Sequence, residues 1–142
     1  MKQGERFVKS EKILEIFREK KIRATPQRIA VYQFLYDNRI HPCVNEIYEA
    51  VVKDNPSFSK TTVYNALSSL MEKGLVVPLA ADENCVRYDA RIDFHGHFYC
   101  KNCKKVFDFE IQAQKVSGLE DFQVDVKDFS CTGICAECSK NN

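Results

Sequence analysis

"SKTTVYNALSSLMEKGLVVPLAADENCVRYDA", residues 59–90, changes its period halfway. The first half carries Val63, Leu67 and Leu70 at helical spacing, with Ser59 placed to cap the helix and Gly74 to end it. Beyond Gly74 the pattern turns to two short extended runs joined by the polar turn Asp82-Glu83-Asn84. A helix running into a hairpin, with further helices before it, is the outline of a winged helix-turn-helix.

Working back toward the N-terminus, three more helices are expected. Ile13, Leu14 and Phe17 make an apolar stripe. Thr25 is placed to cap a second helix with Pro26 in its first turn, and Ile29, Tyr32 and Leu35 or Tyr36 would face a core. "HPCVNEIYEAVVKDN" reads as a third helix that begins at His41 and buries Ile47, Val51 and Val52. In a winged helix the third helix would support and the fourth would enter a DNA major groove. Lys60, Thr61, Thr62, Tyr64 and Asn65 would then face base pairs, while Arg28 and Lys60 would touch phosphates. The same stripes also fit a plain helical bundle.

Charge favours an anionic partner for this part of the chain. Residues 1–80 hold 13 Lys or Arg against 9 Asp or Glu, whereas residues 81–142 hold 8 against 11, although the whole 142-residue chain has a formal net charge of only +1. No apolar run approaches the roughly 20 residues needed to cross a membrane. "MKQGERFVKSEKILEIFREKK" lacks the apolar centre of a secretory signal. A cytoplasmic protein with reduced thiols is therefore expected, its seven cysteines pointing to metal more than to a disulfide framework.

Working forward, residues 91–142 read mostly as strands, with one helix near "IQAQKVSGL" and a frayed "SKNN" tail. A unit this small needs a staple or a partner to fold. Cys100-x-x-Cys103 and Cys135-x-x-Cys138 form two matching knuckles, and four thiolates complete a tetrahedron that suits a structural zinc. Free buried thiols, a redox pair and an iron–sulfur cluster are the competing readings. Cys43, Cys85 and Cys131 have no matching partners and read as ordinary thiols.

A second constellation surrounds "DFHGHFYCKNCKKVFDF", residues 93–109. His95 and His97 are two apart on an expected strand, so they face the same way. If the knuckle reverses the chain with Cys100 opposite Cys103, Asp108 falls opposite His95. Asp89 at the end of the wing and His41 add a carboxylate and the third of the chain's three histidines. Three imidazoles and two carboxylates suit Fe²⁺ or Mn²⁺ as well as zinc. The alternative is that these are solvated surface residues. A zinc deaminase would need H-x-E and P-C-x-x-C. Here Gly96 and His97 follow His95 and Tyr99 precedes Cys100, so an enzyme is not expected.

"IRATPQR", "HPCVNEIY", "SKTTVYNAL", "EKGLV", "RYDA", "HGHFYCKNC", "KVFDF" and "GICAECS" together resemble the ferric uptake regulator family, in order and over about residues 10 to 139. The resemblance implies an α+β protein: residues 1–90 a winged-helix DNA-binding domain with wing and hinge, residues 91–142 a zinc-stapled α/β dimerisation domain. It implies a homodimeric, metal-dependent repressor on pseudo-palindromic operator DNA. Its structural zinc would fall on Cys100, Cys103, Cys135 and Cys138, and its regulatory Fe²⁺ or Mn²⁺ on His41, Asp89, His95, His97 and Asp108.

Asp108, where iron-sensing members tend to have glutamate, and Asn65 after Tyr64 resemble the peroxide-sensing branch. Asp89, in place of cysteine, argues against the zinc-uptake branch. The peroxide-sensing branch implies Fe²⁺-dependent oxidation of His41 or His95 by hydrogen peroxide, loss of metal and release of DNA. The alternatives are an iron-responsive repressor without peroxide chemistry and a thiol-based switch. Gly96 is expected to loosen its strand. Ser68, where some peroxide sensors carry a basic residue, bears on operator preference, and "VDVKDFSCTG" has no histidine for a further metal site.

Overall fold

In the computed structural model, residues 2–82, 85–91, 93–112, 116–125 and 127–141 are described. The chain divides into two compact units, Met1–Ile92 and Asp93–Asn142. The protein belongs to the α+β class, with five helices and five strands among the described residues.

The first unit contains α1 (Lys2–Glu19), α2 (Pro26–Asp37), α3 (Val44–Val52) and α4 (Lys60–Glu72), followed by the hairpin of β1 (Val77–Asp82) and β2 (Cys85–Asp89). Local chemistry sets the helix ends. The Thr25 hydroxyl accepts from the Arg28 N–H at 3.3 Å, and Pro26 needs no donor in the first turn. Ser59 and Thr62 cap α4 reciprocally: Thr62 N–H donates to Ser59 Oγ at 3.1 Å and Ser59 N–H to Thr62 Oγ1 at 3.3 Å. Gly74 then takes φ +71°, the left-handed conformation that glycine adopts most cheaply. The chain turns straight into buried Leu75 and Val76.

The core of this unit joins Ile13 and Phe17 of α1, Val31, Tyr32 and Leu35 of α2, Ile47 and Val51 of α3, and Val63, Leu67 and Leu70 of α4. Leu14, expected in the stripe, is exposed instead, because it follows Ile13 around the helix and points off the buried face. Val52 is only half-buried for the same reason. β1 and β2 pair antiparallel from Val77↔Asp89 to Asp82↔Cys85, with an irregularity between Ala80 and Asp82. The expected tip at Glu83 and Asn84 lies outside the described residues.

The second unit is a three-stranded sheet of order β4-β3-β5, with β3 (Gly96–Cys100), β4 (Val106–Phe109) and β5 (Ser130–Gly133), closed by α5 (Ala136–Lys140). β3 runs antiparallel to β4 and parallel to β5. Its buried cluster is Cys100, Cys135 and Cys138 with Phe98 against them. Two expectations fail here. Residues 111, 112 and 116–119 form no helix, and 113–115 lie outside the described residues. Ser139 and Lys140 are not frayed but complete α5, where Ser139 N–H donates to Cys135 O at 2.9 Å.

Candidate metal centres and nucleic-acid interface

The two knuckles meet. All four sulfurs of Cys100, Cys103, Cys135 and Cys138 lie within 4.8 Å of one another, and Cys103 Sγ is 3.9 Å from Cys135 Sγ. Zinc about 2.3 Å from each sulfur would set tetrahedral sulfurs about 3.8 Å apart, so the cluster fits that ion after a small contraction. Backbone donors already face the sulfurs. Cys135 N–H donates to Cys100 Sγ at 3.4 Å and Cys138 N–H to Cys135 Sγ at 3.5 Å. Backbone N–H groups, of Cys103 first and then Cys135, hold the Cys100 thiol down to about 6, against burial. At Cys138 the Asn102 side chain favours the thiolate, but Cys135, burial, Cys103 and Cys100 outweigh it and push the thiol up to about 11. A cation at the centre would relieve the crowding of sulfurs that disfavours a second charge.

At the other end of β3 the expected register is corrected by two residues. Asp108 pairs with His97, not His95, and the ladder continues through Phe98↔Phe107 and Tyr99↔Val106. The knuckle itself is the turn. Cys100 N–H donates to Lys105 O at 3.1 Å, and Lys104 takes φ +62°, which lengthens the reversal beyond Cys103. The shift is even, so the faces survive it. His95 Nε2 and His97 Nε2 lie 3.3 and 3.4 Å from the same Asp108 Oδ1. Both imidazoles are buried, and Asp108 is partly buried.

His95 is also oriented from behind, its Nδ1 lying 2.6 Å from Asp93 O. A carbonyl only accepts, so Nδ1 carries the proton. In the neutral ring, Nε2 then turns a lone pair toward a carboxylate oxygen. A lone pair and a carboxylate oxygen aimed at one point are the donors a divalent metal ion takes. Gly96, expected to loosen this strand, instead makes room: a Cβ there would collide with the Phe109 ring, which packs edge-on to Phe129 at 5.8 Å.

In the first unit, His41 Nε2 lies 3.6 Å from Asp89 Oδ2, both residues buried. His41 does not begin α3 as expected. It precedes the helix, with φ +53°, a conformation uncommon outside glycine. Residues that the sequence did not single out hold it there. Arg87 donates from Nη1 to His41 O at 2.8 Å and approaches Glu46 at 3.8 Å, and Tyr88 N–H donates to Pro42 O at 3.1 Å. Arg91 N–H donates to Asp89 Oδ1 at 2.8 Å. No periodicity could have announced the contacts of Arg87 and Tyr88, because they join a strand to a segment more than 40 residues away.

Cys43 and Cys85 are likewise not the unmatched thiols expected. They form a disulfide between the N-cap of α3 and the first residue of β2. Cys131 is an exposed free thiol.

On α4, Lys60, Thr61, Tyr64 and Asn65 are exposed along one side while Val63, Ala66 and Leu67 turn inward. Half of Tyr64 is open to solvent. Thr62 is drawn into the cap, and Lys60 Nζ sits 6.0 Å from the Tyr48 ring. Arg28 is half-buried, donating to Ser69 Oγ at 3.1 Å and Arg23 O at 3.0 Å, so it ties α2 to α4. No described helix is long and apolar enough to cross a membrane.

Residues 19–139 match the profile of the ferric uptake regulator family. Among curated proteins, the peroxide operon regulator of Bacillus subtilis (strain 168) is 35% identical over 132 residues, 89% of this chain and 91% of that protein. Among solved structures, the Campylobacter jejuni peroxide stress regulator superposes with a TM-score of 0.66 at 26% identity, covering 88% of this chain and 98% of that one. The peroxide-sensing PerR from Streptococcus pyogenes superposes with a TM-score of 0.52 at 26% identity over 91% and 92%. With the family profile spanning most of its length and both knuckles falling within it, this chain belongs to the ferric uptake regulator family.

Proposed function

We propose that the protein is a metal-dependent, DNA-binding transcriptional repressor, not an enzyme, that works as a homodimer and responds to hydrogen peroxide. The observation that carries the reading is the convergence of His95 and His97 on one Asp108 oxygen. Cys100, Cys103, Cys135 and Cys138 would hold a structural zinc, a closed site that leaves no position for chemistry. His95, His97 and Asp108, with His41 and Asp89 from the first unit, would hold a regulatory Fe²⁺ or Mn²⁺. An ion that draws ligands from both units would couple them, so that metal occupancy biases the DNA-competent state. α4 would read a pseudo-palindromic operator through Lys60, Thr61, Tyr64 and Asn65, with Thr62 set in the cap and Arg28 and Lys60 near phosphates.

Peroxide sensing rests on the shape of this ligand set. A bound Fe²⁺ would supply one-electron chemistry toward hydrogen peroxide, and His41 and His95, as its ligands, would be the side chains exposed to the resulting oxidant. The protein's part is to leave room: Asp108 is one methylene shorter than glutamate and is already shared between two imidazoles, which disfavours binding through both oxygens. The test compares iron-loaded with manganese-loaded protein on operator DNA. The iron form is expected to leave DNA at low peroxide with one added oxygen on the peptide bearing His41 or His95, and the manganese form to stay. Asp108→Glu is expected to keep metal-dependent binding and blunt the response. Iron protein that stays on DNA under peroxide with both histidines unmodified would make this an iron-responsive repressor instead.

A further inference from the structure

Cys43 and Cys85 join the start of α3 to the wing within the first unit. Cys43 caps α3, Cys85 opens β2, their Cα atoms are 6.1 Å apart, and 42 positions separate them along the chain. That spacing lies inside the range a disulfide spans without moving backbone. The surrounding contacts are complete with the bond in place. Cys43 bridges to Arg87 across the chain, Cys43 N–H donates to Glu46 Oε2 at 2.7 Å, and His41 Nε2 lies 3.6 Å from Asp89 Oδ2 nearby. Both cysteines are half-buried, so small reagents can reach them.

We infer that Cys43 and Cys85 form a reversible dithiol–disulfide site that fastens the wing to the start of α3 under oxidising conditions. The inference goes beyond the metal-dependent reading and requires no metal. The oxidant class is a small disulfide. One cysteine thiolate attacks it, its S–S bond breaks, and one small thiol leaves with a mixed disulfide on the protein. The second cysteine thiolate then displaces the second small thiol. Two protein thiols are oxidised, one small disulfide is reduced to two thiols, and the two protein protons end on those leaving thiols. Because the bond closes on contacts that are already formed, oxidation here tightens the unit. Its sign is opposite to that of a thiol switch that dismantles the DNA-binding fold.

The experiment equilibrates the folded full-length protein with glutathione disulfide or with dithiothreitol, blocks free thiols in acid, and digests with trypsin under non-reducing conditions. The oxidised sample is expected to yield peptide 40–53 linked to peptide 74–87, and dithiothreitol to separate them. The thermal midpoint is expected to be higher in the oxidised form by about 5 °C or more, from the constraint placed on the unfolded chain. Cys85→Ser, which leaves the α3 cap in place, and Cys43→Ser, which keeps a good cap residue, should both abolish that difference. Absence of the linked peptide from folded oxidised protein would overturn the inference. So would equal midpoints in the two states, or a difference that persists in Cys85→Ser.

Discussion

Gly96 shows how much one missing methyl group can decide. It sits between the two imidazoles that flank Asp108, and the Phe109 ring occupies the volume where a side chain would begin. Gly96→Ala is expected to destabilise the second unit by about 1–3 kcal/mol, the usual range for forcing atoms into filled space, read as a lower melting midpoint. An unchanged midpoint would mean that the ring swings aside freely. From sequence, this glycine looked like a weak point in a strand. The opposite reading needed the ring's position, which comes from a cross-strand neighbour thirteen residues on and from Phe129 beyond it. His95 and His97 were legible as a pair because strand side chains alternate. The left-handed backbone of His41 was not, because what holds it there is Arg87, reaching from a distant strand.

Among the elements, α4 was the most legible, since cap, stripe and terminating glycine all pointed to the same helix. Its exposed side yields a prediction about reading against holding. Tyr64→Ala is expected to lower discrimination between operator and random DNA by about 1–3 kcal/mol, the scale of a lost base contact. Lys60→Ala should weaken both alike and flatten the salt dependence, as loss of a phosphate contact does. Salt titrations of the two variants on both DNAs check this; equal effects would remove Tyr64 from base reading. The β3–β4 turn was less legible. Its sulfurs marked the reversal, but the left-handed Lys104 moved the register by two, and only the even size of the shift kept Asp108 on the histidine face. The helix expected over 111–119 rested on a short, weakly patterned run with nothing yet known to pack against it.

For the whole molecule, the two units contrast in how they are held. The first has a core drawn from all four helices, and the second gathers little beyond three cysteines and Phe98. Metal should therefore act as part of the second unit's core. Purified protein is expected to hold about one zinc per chain, and Cys100→Ser to lose it and unfold or monomerise that unit, by elemental analysis and sedimentation. A folded dimer free of zinc would contradict this. The Cys43–Cys85 pairing was hidden at this scale too. Two cysteines 42 residues apart carry no spacing signature, and only the way the wing folds back on α3 makes them neighbours.

The order of the knuckles along the chain has a consequence in time. Cys100 leads Cys135 by 35 residues. At about 5–20 residues per second of synthesis, the first two thiols wait roughly 2–7 s for the second two to be made. Through that interval the nascent chain offers a half-built, two-sulfur grip that can be oxidised or can seize the wrong ion. Zinc offered to the finished chain would then compete with whatever these two sulfurs had already met.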